Sequence, residues 1–299
     1  MDIQRLAAID VGSNAMRLLI VNVIEDENSE PVFKKASLVR VPTRLGEDVF
    51  ETGAISPAKI KMLIHAVKGY AYLIKAWNIV HYRACATSAM REAKNGKEVV
   101  KQIEKETGIR LEIISGEEEA SLIFANHIER LFDENKNYLY VDVGGGSTEL
   151  TLYSQKSKID SKSFPLGTVR MIKKRYDEKV WEEMRTWIKN QTKEIKPDWI
   201  IGSGGNINKL IKLYPNKKKS DRNISLREMQ EVENVLKSMS YEERVKNLGL
   251  NPDRADVIIP ALDIYLAVMR WSKCHRITVP KIGLADGIIH QLYHSIGKN

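Results

Sequence analysis

The sequence predicts an α/β protein built from two similar domains with a cleft between them, and three observations carry the prediction. β-rich apolar runs alternate with amphipathic helical stretches along the chain. The segment Ile9-Asp10-Val11-Gly12 returns 132 residues later as Val141-Asp142-Val143-Gly144. The length, 299 residues, suits two domains that each bury a core.

The elements follow in order. Residues 6–11 and 16–24 are apolar strands joined by Gly12-Ser13-Asn14, which reads as a hairpin, and residues 32–40 make a third strand. Ser56-Pro57 opens an amphipathic helix to Trp77, with Pro57 in the first turn where its missing N–H costs nothing. A strand is expected at 79–85, a helix at 88–105, a strand at 109–114 and a helix at 117–131, with Ser115 and Glu118 as a capping box. The strand pattern restarts at 138–143 and continues at 149–153 and 159–164. Helices are expected at 168–175 and 180–196, then a short strand at 199–201 and a helix from Asn206. Helices at 225–238 and 253–272, a strand at 276–279 and a helix at 284–296 complete the pattern, with 215–222 as a Lys-rich loop. The expected domains are 1–125 and 126–283, with the segment 284–299 as a candidate to pack back onto the first.

Composition narrows the function. Hydrophobic residues at 43% and charged residues at 29% exclude a disordered chain. Two cysteines, Cys85 and Cys274, exclude a disulfide framework, and the six histidines show no metal-ligand spacing. There is no basic-then-apolar leader and no run of about 18 apolar residues, so no membrane partner and a cytoplasmic location are expected. Residues 1–125 carry 17 basic and 17 acidic side chains, so the whole surplus of +8 lies beyond them. That asymmetry suggests an anionic partner, although for any single lysine a solvated surface is the simpler reading. Nucleic acid is not expected, because the basic stretches lack interleaved aromatics.

The strongest local signal is Gly144-Gly145-Gly146-Ser147-Thr148-Glu149. Its glycines let a backbone approach an anion and aim successive N–H groups at it. A strand follows rather than a helix, and no G-x-x-x-x-G-K-[ST] sequence exists, so neither a dinucleotide fold nor a P-loop is indicated. Gly202-Ser203-Gly204-Gly205 before a helix is the second candidate anion turn, or else a plain strand-to-helix turn. Asp10 and Asp142 end apolar strands, where a carboxylate needs a partner: a divalent metal, or amides of its own turn. Glu117 and Glu118 are explained by capping and the helix dipole. Glu119 is a candidate general base, though spacing alone leans to a structural role. Arg91 would clamp an oxyanion or face solvent.

Taken in order, the stretches 8–14, 86–95, 112–123, 141–150, 201–210, 254–260 and 282–287 resemble the exopolyphosphatase / guanosine pentaphosphate phosphohydrolase family of the actin and sugar-kinase superfamily. The resemblance implies two ribonuclease-H-like domains with the active site in the cleft. It implies Mg²⁺-dependent (or Mn²⁺-dependent) release of terminal orthophosphate from linear polyphosphate, with guanosine pentaphosphate hydrolysis or a non-hydrolytic sensor as alternatives. It places the general base on Glu119, an active-site arginine on Arg91, and Mg²⁺-associated acids on Asp142 and Glu149; Asp10, which it matches to the first phosphate turn, stays a candidate ligand from its place at a strand end. It assigns phosphate contacts to Ser13, Asn14, Gly144, Gly145, Gly146 and Ser147. Gly204 and Gly205 remain candidates from their turn, and Lys217, Lys218 and Lys219 from their charge, as the wall of a polyanion path. A homodimer is the family-level expectation. One departure is Ala15-Met16-Arg17, where many members carry Ser-Phe-His.

Overall fold

The computed structural model describes residues 2–26, 29–124, 133–215, 221–280 and 283–296. The expected path residues Lys217, Lys218 and Lys219 lie outside them, as does the end of the helix expected at 117–131. The chain divides into two compact units, Met1–Asn126 with Ile282–Asn299, and His127–Lys281.

The first unit is a mixed sheet of β1 (Asp2–Val11), β2 (Met16–Asp26), β3 (Ser29–Val41), β4 (His81–Ala86) and β5 (Glu112–Ile113), in the order β3-β2-β1-β4-β5. β1, β2 and β3 are antiparallel neighbours, whereas β1, β4 and β5 run parallel. Leu6, Ala7, Ala8, Ile9 and Val11 are all buried, an apolar run interrupted only by Asp10 in a strand with no solvent face. The helix Pro57–Ala76 begins as expected, with Ser56 Oγ accepting from the Lys59 amide. Its Tyr70 hydroxyl donates toward the Met16 and Val39 carbonyls at 3.3 and 3.1 Å. The last helix, Leu284–Ile296, packs against β1, β2 and β4.

The helix expected at 88–105 is two helices, Ser88–Glu92 and Gly96–Thr107. The break has a cause. Asn95 acts as a surrogate peptide for Ile55, donating from Nδ2 to its carbonyl and accepting from its amide, both at 2.9 Å. A Cβ on Gly96 would lie 2.2 Å from the Met90 carbonyl oxygen, so only glycine fits the turn.

The second unit repeats the plan: β6 (Asn137–Val143), β7 (Thr148–Ser154), β8 (Ser157–Phe164), β9 (Trp199–Ser203), β10 (Asn223–Ser225) and β11 (Arg276–Thr278), in the order β10-β11-β9-β6-β7-β8. The series β8-β7-β6-β9-β11 matches β3-β2-β1-β4-β5 in order and direction, and β10 is an added antiparallel edge. The core gathers around the helix Ile258–Ser272, whose Ile258, Leu262, Tyr265 and Met269 are buried.

Other boundaries moved for local reasons. The helix expected at 168–175 stops at Ile172, and Lys174 turns left-handed at φ 51°. The helix expected at 253–272 divides into Pro252–Ala255 and Ile258–Ser272; Pro260 falls in the first turn of the latter, the place that tolerates its missing N–H. The helices Leu45–Thr52 and Tyr241–Lys246 were not anticipated. The second had a legible signal, the Ser240–Glu243 capping box that the structure forms in full.

Candidate active site

In each unit the parallel strands end together, and the residues of interest follow those ends. Val11 of β1 is level with Ala86 of β4, which is level with Ile113 of β5. The turn carrying Ser13 and Asn14, the helix carrying Arg91 and the helix carrying Glu119 therefore leave from one edge of one sheet. Carboxyl ends of parallel strands are where such sheets bind ligands.

The first turn is closed by Gly12 N donating to the Ala15 carbonyl at 3.1 Å. Its other carbonyls face the protein: Ser13 O accepts from Gly46 N at 2.8 Å and Asn14 O from Arg44 N at 2.9 Å. Planar peptides whose carbonyls are tied inward turn their amides the other way. Asp10, at 3% exposure, finds a partner outside both sequence options: Arg17 Nη1 bonds its Oδ2 at 2.6 Å. The two are opposite each other in the β1–β2 register.

The three successive glutamates at the start of the helix Gly116–Phe124 take three different environments. Glu117 is exposed. The Glu118 amide donates to Ser115 Oγ at 3.0 Å, but its carboxylate turns to Arg83 Nη2 at 2.6 Å instead of completing the expected capping box. Arg83 also bonds Glu112 at 2.9 Å and Gln291 on the last helix. Burial opposes the Arg83 charge, yet the bonds from Glu118 and Glu112 outweigh it and raise its pKa. Glu119, with its side chain 13% exposed, has its Oε2 3.6 Å from Arg91 Nη1, and that nitrogen also donates to the Ile114 carbonyl at 2.8 Å. Arg91 and Glu119 are thus adjacent, joined through the end of β5.

The second turn mirrors the first. Gly144 N donates to the Ser147 carbonyl at 2.9 Å, the counterpart of the Gly12–Ala15 bond. Gly144 O accepts from Thr168 N at 3.0 Å, Gly145 O from Val169 N at 2.8 Å and Gly146 O from Arg170 Nε at 2.6 Å. All four turn carbonyls are engaged on the protein side. Among the described residues the amides of Gly145, Gly146 and Ser147 make no hydrogen bond, so they form a set of donors for an anion. The close packing behind the turn demands glycine at 167, where a Cβ would sit 2.5 Å from the Gly145 and Gly146 backbone.

Asp142 and Glu149 face each other across β6 and β7. Glu149 is buried at 4% exposure, and its Oε1 accepts from Ser147 Oγ at 2.6 Å and Ser163 Oγ at 3.0 Å. Asp142 is level with Ser203 on β9, and a Cβ on Gly204 would lie 3.0 Å from Asp142 Oδ1. The structure thereby brings Asp142, Glu149, the 144–147 turn and Gly204 into one neighbourhood. Gly204 has φ 99°, and the helix Gly205–Leu213 starts directly after it. Buried Tyr265 fixes this strand end by donating to the Ser203 carbonyl at 2.7 Å. Arg254 Nη1 reaches the Gly205 carbonyl at 3.3 Å. Partial burial, then the charges of Lys212 and Arg254, hold the Lys209 ammonium below its ordinary pKa.

Sequence reasoning passed over Arg17, Arg83, Ser163 and Gly167. Arg17 was reachable, since counting outward from the turn closed at Gly12 and Ala15 places it opposite Asp10. Arg83 and Gly167 act through contacts distant in sequence and left no local signal.

The chain is 30% identical over 277 residues to a bifunctional 3-dehydroquinate synthase/phosphatase of Fusobacterium nucleatum, covering 85% of this chain and 41% of that protein. It is 24% identical over 304 residues to Exopolyphosphatase 1 of Mycobacterium leprae, covering 95% and 88%. The crystal structure of the Aquifex aeolicus Ppx/GppA family member superposes with a TM-score of 0.76 at 26% identity, covering 100% of this chain and 99% of that one. The model of the Ppx/GppA phosphatase family matches residues 23–296, and the chain belongs to that family.

Proposed function

We propose that the protein is a divalent-cation-dependent hydrolase that releases terminal orthophosphate from linear inorganic polyphosphate. The observation that carries this reading is the 144–147 turn, whose carbonyls are tied back so that Gly145, Gly146 and Ser147 can offer three amides to phosphate oxygens. Membership of a phosphatase family and similarity to a protein named exopolyphosphatase support it.

Mg²⁺ fits the residues present. Asp142 and Glu149 are hard oxygen donors placed opposite each other, and among the described residues no group of three or more His, Cys, Asp or Glu forms a metal cluster. Two carboxylates, with water and substrate oxygens completing the shell, is the arrangement Mg²⁺ favours. The ion would neutralise charge on the transferred phosphate.

The chain's own residues would do the rest. Glu119 orients a water and takes its proton as the water oxygen bonds the terminal phosphorus. The bridging P–O bond breaks, its electron pair leaves on the shortened polyphosphate, and orthophosphate is released. Arg91 would stabilise phosphate oxygens beside Glu119, and the amides of Gly145, Gly146 and Ser147 would do so at the second turn. Gly204 and Gly205, with the Lys209 and Arg254 charges nearby, would accept phosphates further along the chain.

The test is phosphate release with Mg²⁺ from polyphosphates of several lengths, guanosine pentaphosphate and ATP. Release from polyphosphate that disappears in Glu119→Gln, with binding retained, is the expected result. A fully active Glu119→Gln would overturn the assignment of the base. Preferred hydrolysis of guanosine pentaphosphate would move the substrate. Tight polyphosphate binding without turnover would make the protein a sensor.

A further inference from the structure

The two turns share their backbone and differ in charge. Asp10 and Asp142 are 132 residues apart, and the same offset relates Gly12 to Gly144 and Ala15 to Ser147, the closing pairs of the two turns. It also relates the residues facing the two aspartates, Arg17 on β2 and Glu149 on β7. The next strand extends each row: Arg17 is opposite Arg40 on β3, and Glu149 is opposite Ser163 on β8. Cross-strand partners share a sheet face, so each row is a line of neighbouring side chains. The first reads Asp10, Arg17, Arg40; the second reads Asp142, Glu149, Ser163.

The formal charges are opposite in sign, one positive overall and the other doubly negative. Arg17 Nη1 is 2.6 Å from Asp10 Oδ2, and the Asp10 side chain is 5% exposed while that of Arg17 is 32% exposed. A divalent ion at Asp10 would have to displace this guanidinium or sit against it, with Arg40 behind. At the second turn the facing residue is itself a carboxylate, which a divalent ion would neutralise together with Asp142.

We propose that Arg17 is the resident cation of the first turn, that it bars divalent ions from Asp10, and that metal binding is confined to the turn carrying Asp142 and Glu149. Asp10 then positions Arg17, and the first turn carries a protein cation at the place where the second would hold a metal. The proposal rests on the phosphatase reading for the purpose of the ion, but not for where the ion binds.

The test is Mn²⁺ titration of the full chain without substrate, followed by calorimetry and by the paramagnetic signal of free Mn²⁺, with far-ultraviolet circular dichroism to verify folding. The wild-type protein is expected to bind one Mn²⁺, as are Arg17→Lys and Asp10→Asn. Glu149→Gln is expected to bind at least tenfold more weakly. Arg17→Gln, which uncovers the Asp10 carboxylate, is expected to gain a second site. If Arg17→Gln does not fold, the neutral pair Asp10→Asn/Arg17→Gln replaces it and is expected to keep one site. Loss of the ion in Asp10→Asn or in the double variant, two ions or none in the wild type, or no gain in a folded Arg17→Gln overturns the proposal. Phosphate release is not the readout, so a protein that hydrolyses nothing but shows this stoichiometry refutes the proposed function and leaves the metal assignment standing.

Discussion

Arg83 on β4 donates to Glu118 Oε1 at 2.6 Å, and that bond commits the middle one of three successive glutamates to structure. The same guanidinium bonds Glu112 and Gln291, tying β4, β5, the helix Gly116–Phe124 and the last helix together. Glu119, the next residue, is left beside Arg91 at the end of β5.

The glutamate series therefore separates by role. Glu119→Gln should lower kcat by about 10²-fold or more, the usual scale for loss of a general base. Glu117→Gln should leave kcat near wild type, because that side chain is exposed. Glu118→Gln should lower kcat with little change in KM and reduce stability by at most about 1 kcal/mol, since its carboxylate is 40% exposed in the pair with Arg83. Steady-state phosphate release with urea unfolding of each variant distinguishes the three.

Gly167→Ala should damage the second turn from behind. The added methyl would lie 2.5 Å from the backbone of Gly145 and Gly146, so the turn must shift. A loss of about 1–3 kcal/mol is expected for such overpacking. KM for polyphosphate should rise as the three amides lose their alignment, and an unchanged KM would count against the turn as the phosphate cradle.

Asn95→Ala should destabilise the first unit without touching the chemistry. It removes both bonds to Ile55, one to its amide and one to its carbonyl, at a cost of about 1–3 kcal/mol. Urea unfolding should show the loss, while kcat stays within a small factor of wild type.

The thiols give a pH signature. Burial pushes Cys85 up to about 12 and also raises Cys274, so both stay protonated where an unfolded thiol would ionise. The native protein should react with essentially no aromatic disulfide reagent at pH 8, and with both thiols after denaturation. The sign of the linkage follows. A raised pKa favours the fold below the ordinary thiol range, so the contribution of Cys85 is present at neutral pH and is lost as pH climbs from about 9 towards about 12. Cys85→Ala should flatten that alkaline decline.

The sequence by itself determined the duplication, because strand periodicity and the repeated Asp-Val-Gly are local patterns that survive without tertiary context. It also placed both turns, the strands that flank them and the capped helix Pro57–Ala76. Some of its errors were local, as at the Tyr241–Lys246 helix, and others fell where distant groups intervene. Asn95 reaching Ile55 breaks a helix whose own residues favour continuing, and Arg83 draws Glu118 away from its capping box. Only the tertiary structure decided how deeply each carboxylate sits: Asp10 is buried at 3% exposure with Arg17 Nη1 2.6 Å from its Oδ2, whereas Asp142 is half-buried. Asp10 and Asp142 end equivalent strands with the same local sequence, yet one faces an arginine and the other a glutamate. Burial makes that difference count, since a charge removed from water is governed by the nearest countercharge, and pairing across strands chooses it.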